Sequence, residues 1–463
     1  MDEKLIKDKL VENFLKYVAI SSQSDEKNEN VPSSRGQVEL GKVLAVDLRD
    51  LGMEDVSVNE FGVVEAKLPR NGRGTKSLGW VAHLDTVDVG LSDEIHPKII
   101  KNYDGRDIKL NDEVTFSTKD NPEVLSYIGD DIIFTDGTSV LGADNKAAIA
   151  NIMTSLWYLK ENPDISHAEI HIAFVPDEEI GLRGVRKIDF EKFKVDYAYT
   201  IDCCELGELI YETFNASSGT LKIKGVSAHP MSAKGKLVNP IMIAHDFISL
   251  LDRAKMPENT ANREGYVWVT DINSDVLNLR MDFNIRNHDR KKFEAEKDYL
   301  YEITEILNKR YPKAEIAIEI EDVYDNIADS MNDENKIAVE RLREIYKKLE
   351  IKEKIIPMRG GTDGSYLSKL GIFTPNYFTG AHNFHSNKEF LPIDSFYKSF
   401  LVTLELMRDD SEVIDKNKGN NDATTKLLIF WTMRFLTSVW DGCCYALIFC
   451  EVFMDFSAQY YNL

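Results

Sequence analysis

Through residues 1–211 short apolar runs alternate with amphipathic stretches, and this alternation restricts the possible folds of the chain more than any other feature. Residues 5–17 and 38–51 read as amphipathic helices. Residues 78–84, Glu169–Val175 and 196–201 are brief apolar runs with the look of buried strands, and 145–160 reads as a helix between two of them. Strands that take turns with helices are joined by crossovers, so an α/β fold with a mixed, mainly parallel sheet is expected. A chain of 463 residues is too long for one ordinary core, and two domains are the natural expectation.

From 212 to 322 the pattern changes. Residues 220–226 are strand-like, and Asn239-Pro240 opens a helix with Asn as its cap and Pro in the first turn. Two strand-like segments, 266–271 and 276–285, are joined by the turn-prone Asn273-Ser274-Asp275. Residues 293–311 are helical, and Ile316, Ile318 and Ile320 alternate with charges as in a half-exposed strand. The order β-α-β-β-α-β is a split βαβ unit, expected here as a compact domain, 212–322, inserted into a discontinuous one made of 1–211 and 323–408. Residues 334–349 read as a helix after it. The stretch 409–463 is an atypical extension. Its first part is polar, and its second, rich in Phe, Trp, Leu and Cys, is interrupted by Arg434, Asp441 and Glu451. No charge-free run there approaches the roughly 18 residues of a membrane span.

A net charge of -22 argues against nucleic acid, which requires a basic face. The charged first ten residues lack the apolar core of a secretory signal, and the five cysteines form no disulfide framework. Both point to a cytoplasmic protein with no membrane partner.

Four acidic or imidazole groups share one placement. His83 and Asp85 follow one expected strand, Glu178 and Glu179 a second, and Asp202 a third, while Asp144 sits at the start of a helix after Leu141-Gly142-Ala143. Sites in open α/β sheets form at the carboxyl ends of strands, so these groups can converge. Carboxylates gathered in that number repel one another unless a cation joins them. A mixed imidazole and carboxylate set suits zinc, with cobalt or manganese also admissible. Asp85 can hold the second ring nitrogen of His83. Of Glu178 and Glu179, one can ligate metal and the other take a proton from water. Each signal alone also has an ordinary reading: a polar His-x-Asp pair, a solvated Glu-Glu loop, an Asp helix cap.

Taken together, His83-Leu-Asp85-Thr86, Gly142-Ala-Asp144-Asn-Lys146, Pro176-Asp-Glu178-Glu179 and Thr200-Ile-Asp202 resemble the motifs of the co-catalytic zinc metallopeptidase family, in particular its tripeptide aminopeptidase branch. Val31-Pro-Ser-Ser, Glu208-Leu209, Phe214-Asn-Ala216, Ala233-Lys-Gly-Lys236, Ile285-Arg286, Arg359-Gly-Gly-Thr-Asp-Gly364 and Asn383-Phe-His385 match as well, so the resemblance spans residues 1–408 in order. It implies two zinc ions per subunit, one held by His83, Asp144 and Asp202 and the other by Asp144, Glu179 and His385. Asp144 would bridge ions that two-metal hydrolases place roughly 3.5–4 Å apart. Glu178 would be the general base and Asp85 the partner of His83, with His382 outside the ligand set. The inserted domain would be a lid through which the protein forms a homodimer, with His229 stabilising the oxyanion. Arg286, Arg359 and Asn239 would hold the C-terminal carboxylate of a short peptide. Four positions depart from the family pattern: Cys203 and Cys204 replace two glycines, Ala148 replaces a helix glycine, and Met231 replaces the glycine that usually follows His-Pro. Two readings compete with a peptidase: an amidohydrolase such as an aminoacylase, carboxypeptidase or desuccinylase, and an inactive scaffold. Arg286, Arg359 and residues 233–236 weigh against the first, and the full ligand set with Glu178 against the second.

Overall fold

The computed structural model describes residues 1–408; the expected extension 409–463 lies outside the described residues. Its centre is an eight-stranded sheet in the order Glu54–Val58, Val64–Leu68, Glu169–Val175, Ser77–His83, Tyr197–Cys203, Asn376–Phe378, Glu208–Glu212, Lys354–Pro357. The four strands from Glu169–Val175 to Asn376–Phe378 run parallel, and antiparallel pairs flank them. The fold is thus mixed α/β with a mainly parallel centre.

Burial on both faces explains why these strands read as continuous apolar runs. Along Ser77–His83, Leu78, Trp80 and Ala82 enter the larger core with helices Glu3–Val18, Ala143–Glu161 and Ile393–Met407, while Val81 enters a smaller core with Leu182, Val185 and Leu367. Trp80 is fully buried, and its indole N–H donates to Tyr377 Oη at 3.2 Å.

A second layer comprises four antiparallel strands in the order Tyr266–Ser274, Asn278–Asn287, Asn215–Lys224, Glu315–Tyr324. Leu221, Ile223, Met281, Phe283 and Ile285 bury one face under helices Pro240–Leu250 and Arg290–Arg310, while Lys222 and Lys224 alternate with them and stay exposed. Asn239 caps the first helix, accepting from the Ile241 N–H at 3.0 Å. Among the described residues no helix is long and apolar enough to cross a membrane.

The differences from expectation are local. The strands Glu54–Val58 and Lys354–Pro357 at the two edges of the main sheet are short and largely exposed, so their apolar pattern is faint. The helix expected at 145–160 begins at Ala143, but Asp144 (φ -83°, ψ 102°) and Asn145 (φ -120°, ψ 20°) lie off the helical conformation.

Candidate metal centre

The predicted ligands come from strand ends, a helix start and a loop. His83 terminates its strand, and the pairing continues one residue further through the Leu84 N–H to the Val175 carbonyl at 2.8 Å. Asp85 is completely buried, and its two carboxylate oxygens accept from the Glu178 N–H at 3.0 Å and the Glu179 N–H at 3.2 Å. One side chain thereby fastens two neighbouring strand ends together. Asp202 lies in the last turn of pleat of Tyr197–Cys203; its N–H donates to Asn376 Oδ1 at 2.7 Å, and its Oδ1 accepts from Asn145 Nδ2 at 3.1 Å. Asp144 comes from the irregular start of its helix rather than from a strand end of the main sheet. His385 comes from the loop between Asn376–Phe378 and Phe390–Pro392, in the left-handed region at φ 61°.

These side chains meet. His83 Nε2 is 2.9 Å from Asp144 Oδ1 and 3.9 Å from Asp202 Oδ1, while His385 Nε2 is 3.1 Å from Asp144 Oδ2 and 3.0 Å from Glu179 Oε1. Three groups have ligand atoms within 4.8 Å of one another: His83, Asp144 and Asp202; Asp144, Glu179 and His385; and His83, Glu178 and Glu179. The first two share Asp144. His83 is turned toward the cluster by Asp85, whose carbonyl oxygen is 3.0 Å and whose Oδ1 is 3.3 Å from Nδ1. This set fits a pair of divalent cations. Glu179 Oε1 is buried and close to His385, yet makes no hydrogen bond of proper geometry, and Asp363 Oδ1 nearby also has no hydrogen-bond partner. Three carboxylates and two imidazoles are the donor types zinc takes.

The electrostatics point the same way. Burial pushes Glu178 well above the ordinary carboxylate range, and the charges of Asp202, Asp363 and Glu179 add to it against His83. Burial and then Asp144 raise Asp202 and Glu179. Burial also pushes Asp363 up to about 7. Asp144 goes the other way: burial opposes its charge, but hydrogen bonds from His385 and His83 hold it below its usual range. His385 is pushed up to about 10 by Asp144 and Glu179, and His83 rises despite its burial through Asp144 and Asp85. Full ionisation of these carboxyls together is costly, and a bound cation would offset that cost.

The four residues expected to touch substrate are held by other partners. His229 is exposed, and its Nδ1 accepts from the Met231 N–H at 3.2 Å in a short turn. Asn239 caps its helix as described. Arg286 donates from Nη1 to the carbonyls of Ser217 (2.9 Å) and Ile285 (2.8 Å) and lies over the Tyr324 ring. Arg359 donates to the carbonyls of Asn262 and Glu264 and to Thr260 Oγ1, with its guanidinium over Phe214 and Tyr266. Among the described residues, no hydrogen bond or ion pair joins these four to the metal-facing side chains.

His382 turns elsewhere: Nε2 is 2.8 Å from Tyr127 Oη and the ring stacks on Phe390. No metal-type cluster among the described residues contains a cysteine, and burial pushes the Cys203 and Cys204 thiols up, away from the thiolate form. Ala148 is fully buried and Met231 is exposed.

Several contributors escaped the sequence reading. Asn145 and Asn376 fix Asp202, and Glu389 accepts from backbone N–H groups around Asp144. Lys146, fully buried, donates to the Ile20 carbonyl at 2.7 Å, and burial draws its pKa down to about 7. Lys146 and Asp363 lie inside matched motifs but had no role to announce them; Glu389 follows His385 by four residues with no periodic signal.

A model of peptidase family M20/M25/M40 matches residues 142–409. A peptidase T-like protein of Yersinia pestis is 48% identical over 400 residues, covering 86% of this chain and 97% of its own. Peptidase T of a Geobacillus species is 42% identical over 406 residues, covering 87% and 98%. The crystal structure of aminopeptidase PepT from Bacillus cereus superposes with a TM-score of 0.68 at 22% identity, covering 87% of this chain and 98% of that one.

Proposed function

The chain belongs to peptidase family M20/M25/M40, and on that premise we propose that it is a metal-dependent aminopeptidase that removes the N-terminal residue of short peptides, tripeptides above all. One observation carries this reading: His83, Asp144, Asp202, Glu179 and His385, drawn from positions 83 to 385, form two ligand-type clusters that share Asp144. The tripeptide preference is supported by relatives named peptidase T that align over nearly their whole length. We assign His83, Asp144 and Asp202 to one zinc and Asp144, Glu179 and His385 to the other, with cobalt or manganese as admissible replacements.

When bound, such a pair supplies Lewis-acid polarisation of the scissile carbonyl and acidifies water. The chain's own residues do the rest. Glu178, half-buried and raised in pKa, accepts the proton of the attacking water and returns it to the leaving amine. Asp85 keeps His83 oriented and seats Glu178 and Glu179 through their N–H groups. His229 stabilises the oxyanion, and Arg286, Arg359 and Asn239 hold the peptide's carboxylate. In the described structure the last four are engaged elsewhere; movement of residues 212–322, the segment we assign as the lid, would carry His229, Asn239 and Arg286 toward substrate and release Arg359 from Thr260, Asn262 and Glu264. We further assign it the dimer contact: the edge strand Tyr266–Ser274 exposes Trp268 and Ile272, and Val276 in the turn beyond is 78% exposed. We place the protein in the cytoplasm.

The test is a substrate panel on the zinc-loaded protein. Tripeptides are expected to turn over faster than dipeptides, tetrapeptides and N-acyl amino acids. Faster cleavage of N-acyl amino acids would make it an amidohydrolase, and inertness toward every member with two zinc ions bound would make it a scaffold.

A further inference from the structure

We propose that Glu389 is a positioning residue that clamps the backbone turn carrying Asp144, and so sets the aim of the shared carboxylate toward both metal subsites. The inference rests on the two-metal reading above. Glu389 is fully buried; its Oε2 accepts from the Leu141 N–H at 2.7 Å and the Gly142 N–H at 3.0 Å, and its Oε1 accepts from the Asp144 N–H at 3.2 Å. A helix start leaves its first N–H groups without intrahelical partners, and Asp144 is moreover held off the helical conformation, so its direction must be imposed from outside.

Three donors on two oxygens call for a carboxyl group, which accepts at both; burial and then Asp144 push it up to about 8. A glutamine offers one acceptor oxygen and two N–H donors, and would leave an N–H facing an N–H. A carboxylate this deep is costly to bury, and an ordinary helix start is satisfied by an uncharged Ser or Asn. The cost is explained if the turn must be rigid for another purpose.

The surrounding loop supports that purpose. His382 and Phe390 exchange backbone hydrogen bonds of 2.9 and 3.2 Å, closing the segment between them, and the same loop delivers His385 to Asp144 Oδ2. One loop therefore grips Asp144 at both ends, the side chain through His385 and the main chain through Glu389. The loop has separate anchors, Asn387 Nδ2 to the Gly137 carbonyl at 3.2 Å and Asn383 Nδ2 to Asn121 Oδ1 at 2.9 Å, so holding the loop in place does not require Glu389.

The test measures zinc affinity of the metal-free full chain by competition with a chromophoric chelator, for the unaltered protein, Glu389→Gln, Glu389→Asp and Asn387→Ala. Glu389→Gln is expected to weaken both zinc ions about 10- to 100-fold, the range for groups that orient metal ligands. Glu389→Asp, which keeps the charge but loses reach, should fall between, and Asn387→Ala should bind zinc as the unaltered protein does. Unchanged zinc affinity in Glu389→Gln overturns the proposal, as does an equal loss in Asn387→Ala. If Glu389→Gln does not fold, unchanged affinity in Glu389→Asp overturns it. Failure of the unaltered protein to take up two zinc ions is a different result, and it defeats the two-metal reading itself.

Discussion

Replacing Glu178 with Gln keeps the volume of the side chain and its backbone bond to Asp85 while removing the basic oxygen. Turnover of a tripeptide is therefore expected to fall by about 10²- to 10⁴-fold, with two zinc ions still bound by metal analysis. Loss of zinc in that variant would instead make Glu178 a ligand. A second residue-scale prediction concerns His382, whose burial lowers its pKa to about 4 from the ordinary 6.5. Between those values the unfolded chain binds the extra proton and the folded one does not, so stability rises with pH over that window and is lost as pH falls through it. His382→Gln should flatten that dependence by up to about 1.4 kcal/mol per pH unit, measured as urea midpoints of the metal-free protein from pH 4 to 7. A slope identical to that of the unaltered protein would count against it.

At the scale of elements, the order of strands and helices was legible wherever burial left a periodic trace. Glu169–Val175 was read with its observed limits, and the order of the second layer from Asn215–Lys224 to Glu315–Tyr324 was read correctly, because Leu221 and Ile223 alternate with lysines. Strands such as Glu54–Val58 left no comparable trace. The site divides in the same manner. His83, Asp144, Glu178, Glu179, Asp202 and His385 stand in short motifs, whereas Glu389 and Asn376 act through backbone groups and leave only ordinary residues in the sequence. Asn239 tests an element and the site together. As a cap alone, Asn239→Ala should cost ~1 kcal/mol of stability and leave KM unchanged. We expect the stability loss together with a raised KM for tripeptides, and thermal melts with steady-state kinetics separate the two effects.

For the whole molecule, the relatives align over 400 to 406 residues, 97–98% of their own lengths, and the family model ends at residue 409. A chain ending at Arg408 is expected to keep its tripeptide turnover and zinc content; loss of either would give residues 409–463 a role in the chemistry. Zinc uptake should weaken as pH falls, since His385, raised to about 10 in the metal-free protein, must surrender its proton before it can ligate. Chelator competition between pH 6 and 8 measures this, and an affinity that does not change with pH would contradict it.

The metal-facing side chains are strung along the chain from His83 to His385, so the last of them is synthesised when little of the described structure remains to be made. A polypeptide still growing on the ribosome lacks one of the three members of its second cluster until that moment. On the proposed reading, the enzyme is hydrolytically silent through most of its own birth, and a single cut anywhere between those two positions that lets the fragments part returns it to silence.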